Sequence, residues 1–308
     1  MAFKESLKKL TDAITKKEKR TVYLAILGFY DNMSDENYLK KQFKNSLGYV
    51  PDFKNPKTYN EKLQWIKLND RNPLYTTLVD KASVKDYVAE KIGSKYIIPT
   101  LGVWNDFDEI DFDKLPNQFV LKTTHDSGGV VICKDKAKFD KKGARKKIIK
   151  SFKRNYYYQN REWPYKDVKP RIIAEEFITD LGKDGLCEYK IFCFNGEPKI
   201  VLLCKGEAHG AGRTNDYCDL EYNRLPFVSV NPNSEGEIVK PKEHDEIIEI
   251  AKKLSQGFPQ VRVDTYVSNG KIYFGELTFF HNSGFSLFEP KEWDKILGDY
   301  ITLPERRK

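Results

Sequence analysis

The chain has 308 residues, a net charge of +8, and 40% hydrophobic and 13% aromatic residues. That apolar content is ample for packed cores and excludes global disorder, and the length exceeds one minimal domain, so two or three subdomains are expected. The positive balance favours anionic partners (phosphates, acidic glycans, nucleic acid, an anionic membrane face) without choosing among them.

At the amino terminus Phe3, Leu7, Leu10 and Ile14 recur at helical spacing among Lys4, Lys8, Lys9, Lys16, Lys17, Lys19 and Arg20. Such a basic amphipathic helix suits an anionic membrane surface or packing on the rest of the domain. The apolar run over 22–30 that follows is far short of the ~20 residues a bilayer span needs. A helix is expected over 34–47, begun by Ser34 and stopped by Gly48, and Pro51 and Pro56 mark a loop. Thr58-Tyr59-Asn60-Glu61 has the spacing of a capping box and opens a helix carrying Leu63, Trp65, Ile66 and Leu68. Another helix over 82–92 ends at Gly93 and leads into an extended segment at 96–100.

From Gln118 the pattern changes to mixed α+β. A strand over 119–122, a polar glycine-bearing loop over 123–129 and a second strand over 130–133 are followed by a basic helix over 141–154. Residues 171–178 read as a strand ending in acids. Segments 188–194 and 199–204 flank Asn195-Gly196 as a hairpin, and a helix over 243–254 follows. Val261-Arg262-Val263-Asp264-Thr265-Tyr266 and Glu276-Leu277-Thr278 are strands on either side of a Ser268-Asn269-Gly270 turn. Two antiparallel sheets with helices laid across them are the economical arrangement. The five cysteines (Cys133, Cys187, Cys193, Cys204, Cys218) form no CxxC pair, and the four histidines add no zinc spacing. With no secretory signal, the cysteines read as reduced thiols of a cytoplasmic protein.

Three constellations carry chemistry. The late hairpin sets Asp264 and Glu276 on neighbouring strands beside Arg262, an arrangement suited to Mg²⁺ bridging phosphate oxygens or, equally, to an ordinary salt bridge on a solvent-facing strand. Lys122 ends an apolar strand just before Thr123-Thr124-His125-Asp126-Ser127-Gly128-Gly129, whose backbone N–H groups suit phosphate oxygens; the loop lacks the GKS or GKT ending of a Walker A sequence. Glu175-Glu176-Phe177-Ile178 closes a strand that suits a purine edge and a ribose hydroxyl, or is a plain acidic transition into a loop. His209 and Arg213 lie in a glycine-rich stretch: Arg213 suits a γ-phosphate or an acidic substrate, or belongs to a flexible surface loop. His281 is a structural histidine or a base for an incoming amine. The aromatic and basic stretch over 154–163, with Tyr156, Tyr157 and Tyr158, suits stacking on sugar rings or packing at a helix end.

Taken in order, these pieces resemble the ATP-grasp superfamily, and within it the TupA-like branch of bacterial cell-surface polysaccharide synthesis. The resemblance spans about 27–288. It rests on Tyr59-Asn60-Glu61-Lys62-Leu63-Gln64-Trp65, Asp80-Lys81, Phe119-Val120-Leu121-Lys122, His125-Asp126-Ser127-Gly128-Gly129, Lys190-Ile191-Phe192-Cys193-Phe194-Asn195-Gly196, Val261-Arg262-Val263-Asp264 and Phe274-Gly275-Glu276-Leu277-Thr278-Phe279. It implies an α+β fold of two subdomains whose antiparallel sheets clasp ATP. The divisions it implies are a helical region over 1–70, a preceding region over 71–117, a lid with the glycine loop over 118–180, and a carboxy-terminal subdomain with the metal site over 181–308.

It also implies roles. Lys81, Lys122, His125, Ser127, Gly128 and Gly129 face ATP phosphates, the loop closing over them. Glu175, Glu176, Phe177 and Ile178 hold adenine, and Glu188 with Lys190 completes the nucleotide site. Asp264 and Glu276 hold Mg²⁺, and Arg262, with Arg213, stabilises phosphoryl transfer. Thr278 stands where the family has an asparagine ligand, so the second metal position falls to Thr278, Asn282 or water. The activity implied is an ATP-dependent carboxylate–amine ligase acting on an acidic glycan or its lipid-linked precursor and an amine or amino acid. The N-terminal helix would contribute peripheral contact with the inner membrane face. A glycan phosphotransferase or glycosyltransferase is the competing enzyme reading. A basic nucleic-acid-binding protein is the alternative of another class; no nucleic-acid motif supports it.

Overall fold

The protein is described by a computed structural model covering residues 15–178, 187–206 and 212–307. The expected helix positions Phe3 to Ile14, and His209, lie outside the described residues.

The chain begins with α1 (Lys17–Ile26), which turns Thr21 and Ala25 inward and leaves Tyr23 and Ile26 exposed, as are Leu27 and Phe29 beyond it. Helix α2 (Asp35–Leu47) starts where Ser34 Oγ accepts from Asn37 N and stops at Gly48, whose φ of 85° is left-handed. In α3 (Tyr59–Asn69) the capping box forms: Thr58 Oγ1 accepts from Glu61 N at 3.2 Å, and Glu61 Oε2 accepts from Thr58 N at 3.1 Å. Helix α3 buries Tyr59, Leu63, Trp65 and Ile66 in the core and, unusually for a buried helix, also Asn60, Gln64 and Lys67. Its long side chains reach a distant turn. Asn60 donates to Ser286 O and accepts from Ser286 N, both at 2.8 Å. Gln64 Nε2 donates to Gly284 O at 2.6 Å, and Lys67 Nζ to Ser283 O at 2.7 Å. Helices α4 (Leu74–Val79) and α5 (Val84–Ile92) follow.

The first sheet has the order β1-β4-β2-β3, built from β1 (Thr100–Trp104), β2 (Phe119–Thr123), β3 (Val130–Cys133) and β4 (Ile172–Glu176), all antiparallel. It therefore begins at Thr100, within the region expected to precede the lid. Gly102 and a bulge in the β1–β4 register blur the alternation that would mark a strand in the sequence. Helix α6 (Lys141–Phe152), capped by Asp140, packs Ala144 and Ile148 on Phe119, Leu121, Ile172 and Ala174. Because side chains alternate along a strand, Lys122 and Glu175 lie on the opposite face.

The short helix α7 (Tyr157–Asn160) leads to β4. The second sheet has the order β7-β6-β5-β8-β9, from β5 (Cys187–Phe194), β6 (Glu197–Lys205), β7 (Thr214–Cys218), β8 (Gln260–Ser268) and β9 (Lys271–Thr278). Helix α8 (His244–Ser255) covers one face, burying Ile247, Ile250, Ala251 and Leu254 in a core with Ile191, Val261 and Val263. The other face carries Glu188, Lys190, Arg262, Asp264, Glu276 and Thr278. Helix α9 (Glu292–Asp299) packs back on α3. No helix among the described residues is long and apolar enough to cross a membrane.

Candidate active site

Register assembles a charged row across the second sheet. Lys190 pairs with Asp264, Asp264 with Glu276, and Arg262 with Thr278. Asp264 is 2% exposed, and three charge-assisted contacts hold it: Arg262 Nε and Nη2, each at 2.6 Å, and Lys190 Nζ at 2.5 Å. Burial would raise its carboxyl, but the Arg262 and Lys190 charges outweigh that and hold it below the usual carboxylate range. Lys190 responds reciprocally: burial lowers its ammonium, Asp264 raises it further, and the net direction is upward. Arg262 Nη2 also donates to Thr278 Oγ1 at 3.0 Å and lies 3.5 Å from Glu276 Oε1, to which Thr278 Oγ1 donates at 3.2 Å. Glu276 is the open member of the row, with its side chain about half exposed.

His281 secures the other edge of Arg262, whose Nη1 donates to His281 Nδ1 at 2.7 Å. A guanidinium only donates, so this contact assigns the lone pair to Nδ1 and the proton to Nε2, which faces Tyr217 Oη at 3.4 Å. Burial and the Arg262 charge keep His281 neutral, well below the ordinary histidine range. Asn282 Nδ2 donates to Ser286 Oγ at 3.1 Å; it also lies 3.1 Å from His281 Nε2, which as an N–H does not accept from it. At the far end of the row, Glu188 Oε2 accepts from Arg213 at 2.7 Å and lies 3.5 Å from Lys190, while Arg213 also donates to Gly206 O at 2.9 Å.

The first sheet presents its own cations. Lys122 Nζ and Lys85 Nζ grip the two oxygens of Glu175 at 2.6 and 2.5 Å. Burial pulls that carboxyl up, but the two ammoniums hold it below its ordinary value. Lys81 stands between the sheets. Its amide donates to Thr124 O at 3.1 Å and its ammonium to Asp126 O. Glu276 from one sheet and Lys122 and Glu175 from the other all bear on that ammonium, which burial lowers from its usual range. Lys81, Lys122 and Glu276 thus lie close enough to act on one another through charge, and Asp264 is joined to them through Arg262.

The glycine loop is anchored at Asp126. Its carboxylate takes the hydroxyls of Thr123 and Ser151, and Arg154 at 2.8 Å. His125 is buried, its Nε2 3.3 Å from Ser151 O and its ring edge-on to Phe152, so the imidazole faces α6. Only Ser127 and Gly128 project, and Gly128 has a φ of 103°. Gly129 covers the anchor: a Cβ there would lie 1.8 Å from Thr123 Oγ1. At the end of β4, Glu176 is exposed, its N–H is committed to Pro99 O at 3.1 Å, and Phe177 and Ile178 are half-buried. Lys85 was not expected from the sequence, and Arg154 only as the start of the 154–163 stretch; Lys81 precedes α5, so no helical spacing links it to Lys85.

Among the described residues no group of three or more His, Cys, Asp or Glu side chains is gathered for a metal. Two carboxylates in register, one of them open, nevertheless suit Mg²⁺, which takes one or two carboxylates along with substrate phosphate. Thr278 Oγ1 is already committed to Arg262 and Glu276, and Asn282 Nδ2 to Ser286.

Solved structures with similar folds include D-alanine–D-alanine ligase from Bacillus anthracis complexed with ATP (18% identity, TM-score 0.41, 73% of this chain and 63% of that one). D-cycloserine synthetase DcsG is 13% identical (TM-score 0.43, 74% and 70%). ATP-grasp ligase PsnB with its minimal precursor is 12% identical (TM-score 0.41, 74% and 60%). This chain thus spans less than two thirds of the Bacillus anthracis ligase. No curated protein matches the sequence. The TupA-like ATPgrasp family model matches residues 61–302, a stretch that holds every residue of the cleft described above, and the chain therefore belongs to the TupA-like ATP-grasp family.

Proposed function

We propose that this ATP-grasp chain is a carboxylate–amine ligase that activates a carboxylate as an acyl phosphate and passes it to an amine. What supports the proposal is the set of charges that act on Lys81: Lys122 and Glu175 of one sheet, and Glu276, beside Arg262, of the other. Three cations and an open carboxylate around one cleft suit a triphosphate, and positioning with charge stabilisation is most of what a protein supplies to phosphoryl transfer.

In this reading the γ-phosphoryl group moves to the substrate carboxylate as its bond to ADP breaks. The free amine then attacks the acyl carbon, phosphate departs with the C–O bond and takes up the proton the amine gives, and the C–N bond forms. Lys81 and Lys122 neutralise phosphate oxygens, with backbone of 127–129 beside them. Arg262, held by Asp264 and His281, presents Nη2 toward Glu276 and stabilises charge that develops on transfer, while Arg213 stands at the Glu188 end. Glu176, Phe177 and Ile178 flank adenine, with Glu188 near the ribose. Glu276 together with Asp264 would hold Mg²⁺, which when bound offsets charge on the phosphate oxygens.

The acyl donor is an acidic group of a surface polysaccharide or of its lipid-linked precursor, and the acceptor an amine or amino acid. Peripheral contact with an anionic membrane face belongs to the same proposal, supported by the exposed Tyr23, Ile26, Leu27 and Phe29 beside the basic α1 surface. The test is ADP and phosphate release that requires both a carboxylate and an amine. Lys122→Ala and Glu276→Gln each lower it by about 10²-fold or more. Full turnover in either variant, or label from γ-phosphate retained on a glycan product, overturns the reading.

A further inference from the structure

A buried polar cluster around Glu162 is left unused by the ATP chemistry. Glu162 is 6% exposed. One of its carboxylate oxygens takes the Ser283 hydroxyl, and the other has no donor among the described residues. No cation among them comes within ion-pair distance. The nearby Lys67 ammonium is committed to Asn160 O at 2.9 Å and Ser283 O at 2.7 Å. Lys67 acts on Glu162 through charge without forming a direct ion pair, and a buried carboxylate with no direct partner is unfavourable. Tyr156 and Tyr165 stand beside it with ring centroids 4.9 Å apart, and neither phenol hydroxyl has a partner among the described residues. Tyr165 N donates to Glu162 O at 3.2 Å, so Tyr165 follows Glu162 within one turn, and the charges of Glu162, Glu276 and Asp126 all bear on the two phenols.

We infer that Glu162, with the Tyr156 and Tyr165 hydroxyls, is the subsite for the acceptor, and that it recognises a primary ammonium group. An ammonium has three donors and no acceptor. The cluster offers the complement: an unpaired carboxylate oxygen and two phenol oxygens beside the open carboxylate Glu276. Burial, outweighing Lys67 and the Ser283 hydrogen bond, raises the Glu162 carboxyl from its usual value, and a second cation beside it would oppose that rise. The Ser283 hydroxyl and the Asn160 amide, 3.1 Å from it, hold Glu162 in place. The inference rests on the ligase reading above and names the chemistry of its second substrate.

The test uses the full chain and calorimetric titration with methylammonium, ethanolamine and glycinamide, with acetamide as the neutral control. Binding of Mg²⁺ and a non-hydrolysable ATP analogue is measured separately. The wild type is expected to bind at least one ammonium probe and not acetamide. Glu162→Gln weakens that binding about tenfold or more, and Tyr165→Phe weakens it less. Both variants keep nucleotide affinity, which also reports that they fold. Equal probe affinity in Glu162→Gln and wild type, or no probe binding by a wild type that holds nucleotide, overturns the subsite alone. Loss of nucleotide binding by the wild type instead overturns the ligase reading on which it rests.

Discussion

Replacing Asp264 by asparagine removes a negative charge that answers two cations at once. The carboxylate is 2% exposed and meets Arg262 twice at 2.6 Å and Lys190 at 2.5 Å. An asparagine turns an NH₂ donor toward one of these donors, and Arg262 cannot release its proton. Removing one partner of a buried pair costs about 3–5 kcal/mol. Glu276, 3.5 Å from Arg262, takes up part of the stranded charge, so the expected loss lies near the lower bound, about 3 kcal/mol. Equilibrium urea unfolding at neutral pH measures it for Asp264→Asn, Arg262→Met and the double variant. Both groups serve one interaction, so the double variant should lose less than the sum of the single losses by on the order of 2 kcal/mol. The pH dependence has a definite sign. Arg262 and Lys190 outweigh burial and hold the folded carboxyl down, so its contribution is complete above the unfolded value of about 3.9 and disappears as pH falls through the lower folded value. The wild-type advantage should therefore be level from neutral pH to about pH 5 and shrink below about pH 4. A loss under about 1 kcal/mol, the level of an exposed pair, or strict additivity of the two single variants, would refute the reasoning.

Two further outcomes are expected. His281 is neutral in the fold because burial and Arg262 keep its protonation well below the ordinary range, whereas the unfolded chain takes up that proton near pH 6.5. Wild-type stability should thus fall more steeply than that of His281→Gln as pH drops below about 6.5, by up to about 1.4 kcal/mol per pH unit, and parallel curves would show that the site does not exclude the proton. At Gly298 an added Cβ would lie 2.3 Å from Lys57 O and 2.7 Å from both Thr58 C and Tyr59 N, all of them backbone. Gly298→Ala must push α9 off the start of α3 and should cost about 1–3 kcal/mol in the same unfolding assay; unchanged stability would mean that the two helices do not meet this closely.

Local signals in the sequence were faithful wherever short-range geometry decides the outcome. Ser34 with Gly48 and the Thr58–Glu61 box bounded helices, and Asn195-Gly196 and Asn269-Gly270 turned hairpins, because caps and tight turns are settled within a few residues. Hairpin alternation likewise made it legible that Arg262, Asp264, Glu276 and Thr278 share a face. What could not be read was how the charges divide among themselves. Asp264 and Glu276 look alike in sequence, yet one is enclosed by Arg262 and Lys190 and the other opens on the cleft, a difference made by strand β5, whose Lys190 comes 74 positions earlier. His125 sits in the glycine loop and points away into α6, since Ser151 and Phe152 come from a distant helix. Strand β1 escaped notice because its partner β4 lies about seventy residues on and supplies the pairing that a bulged strand with a central glycine does not advertise. Glu162 carries no local signal at all, being isolated only by the fold.

The grip of α3 on residues 283–286 has a consequence for anyone recombining this protein with its relatives. Arg307 also bonds to Asn69 and Arg71 through its N–H and carbonyl, at 2.7 and 2.9 Å, so the last described residues are laced to the end of α3. A chimera that exchanges residues up to 70 while keeping the native segment from 281 onward would set foreign side chains against the Ser283, Gly284 and Ser286 carbonyls. The two stretches, more than two hundred positions apart, form one inheritable cassette and should be transplanted together.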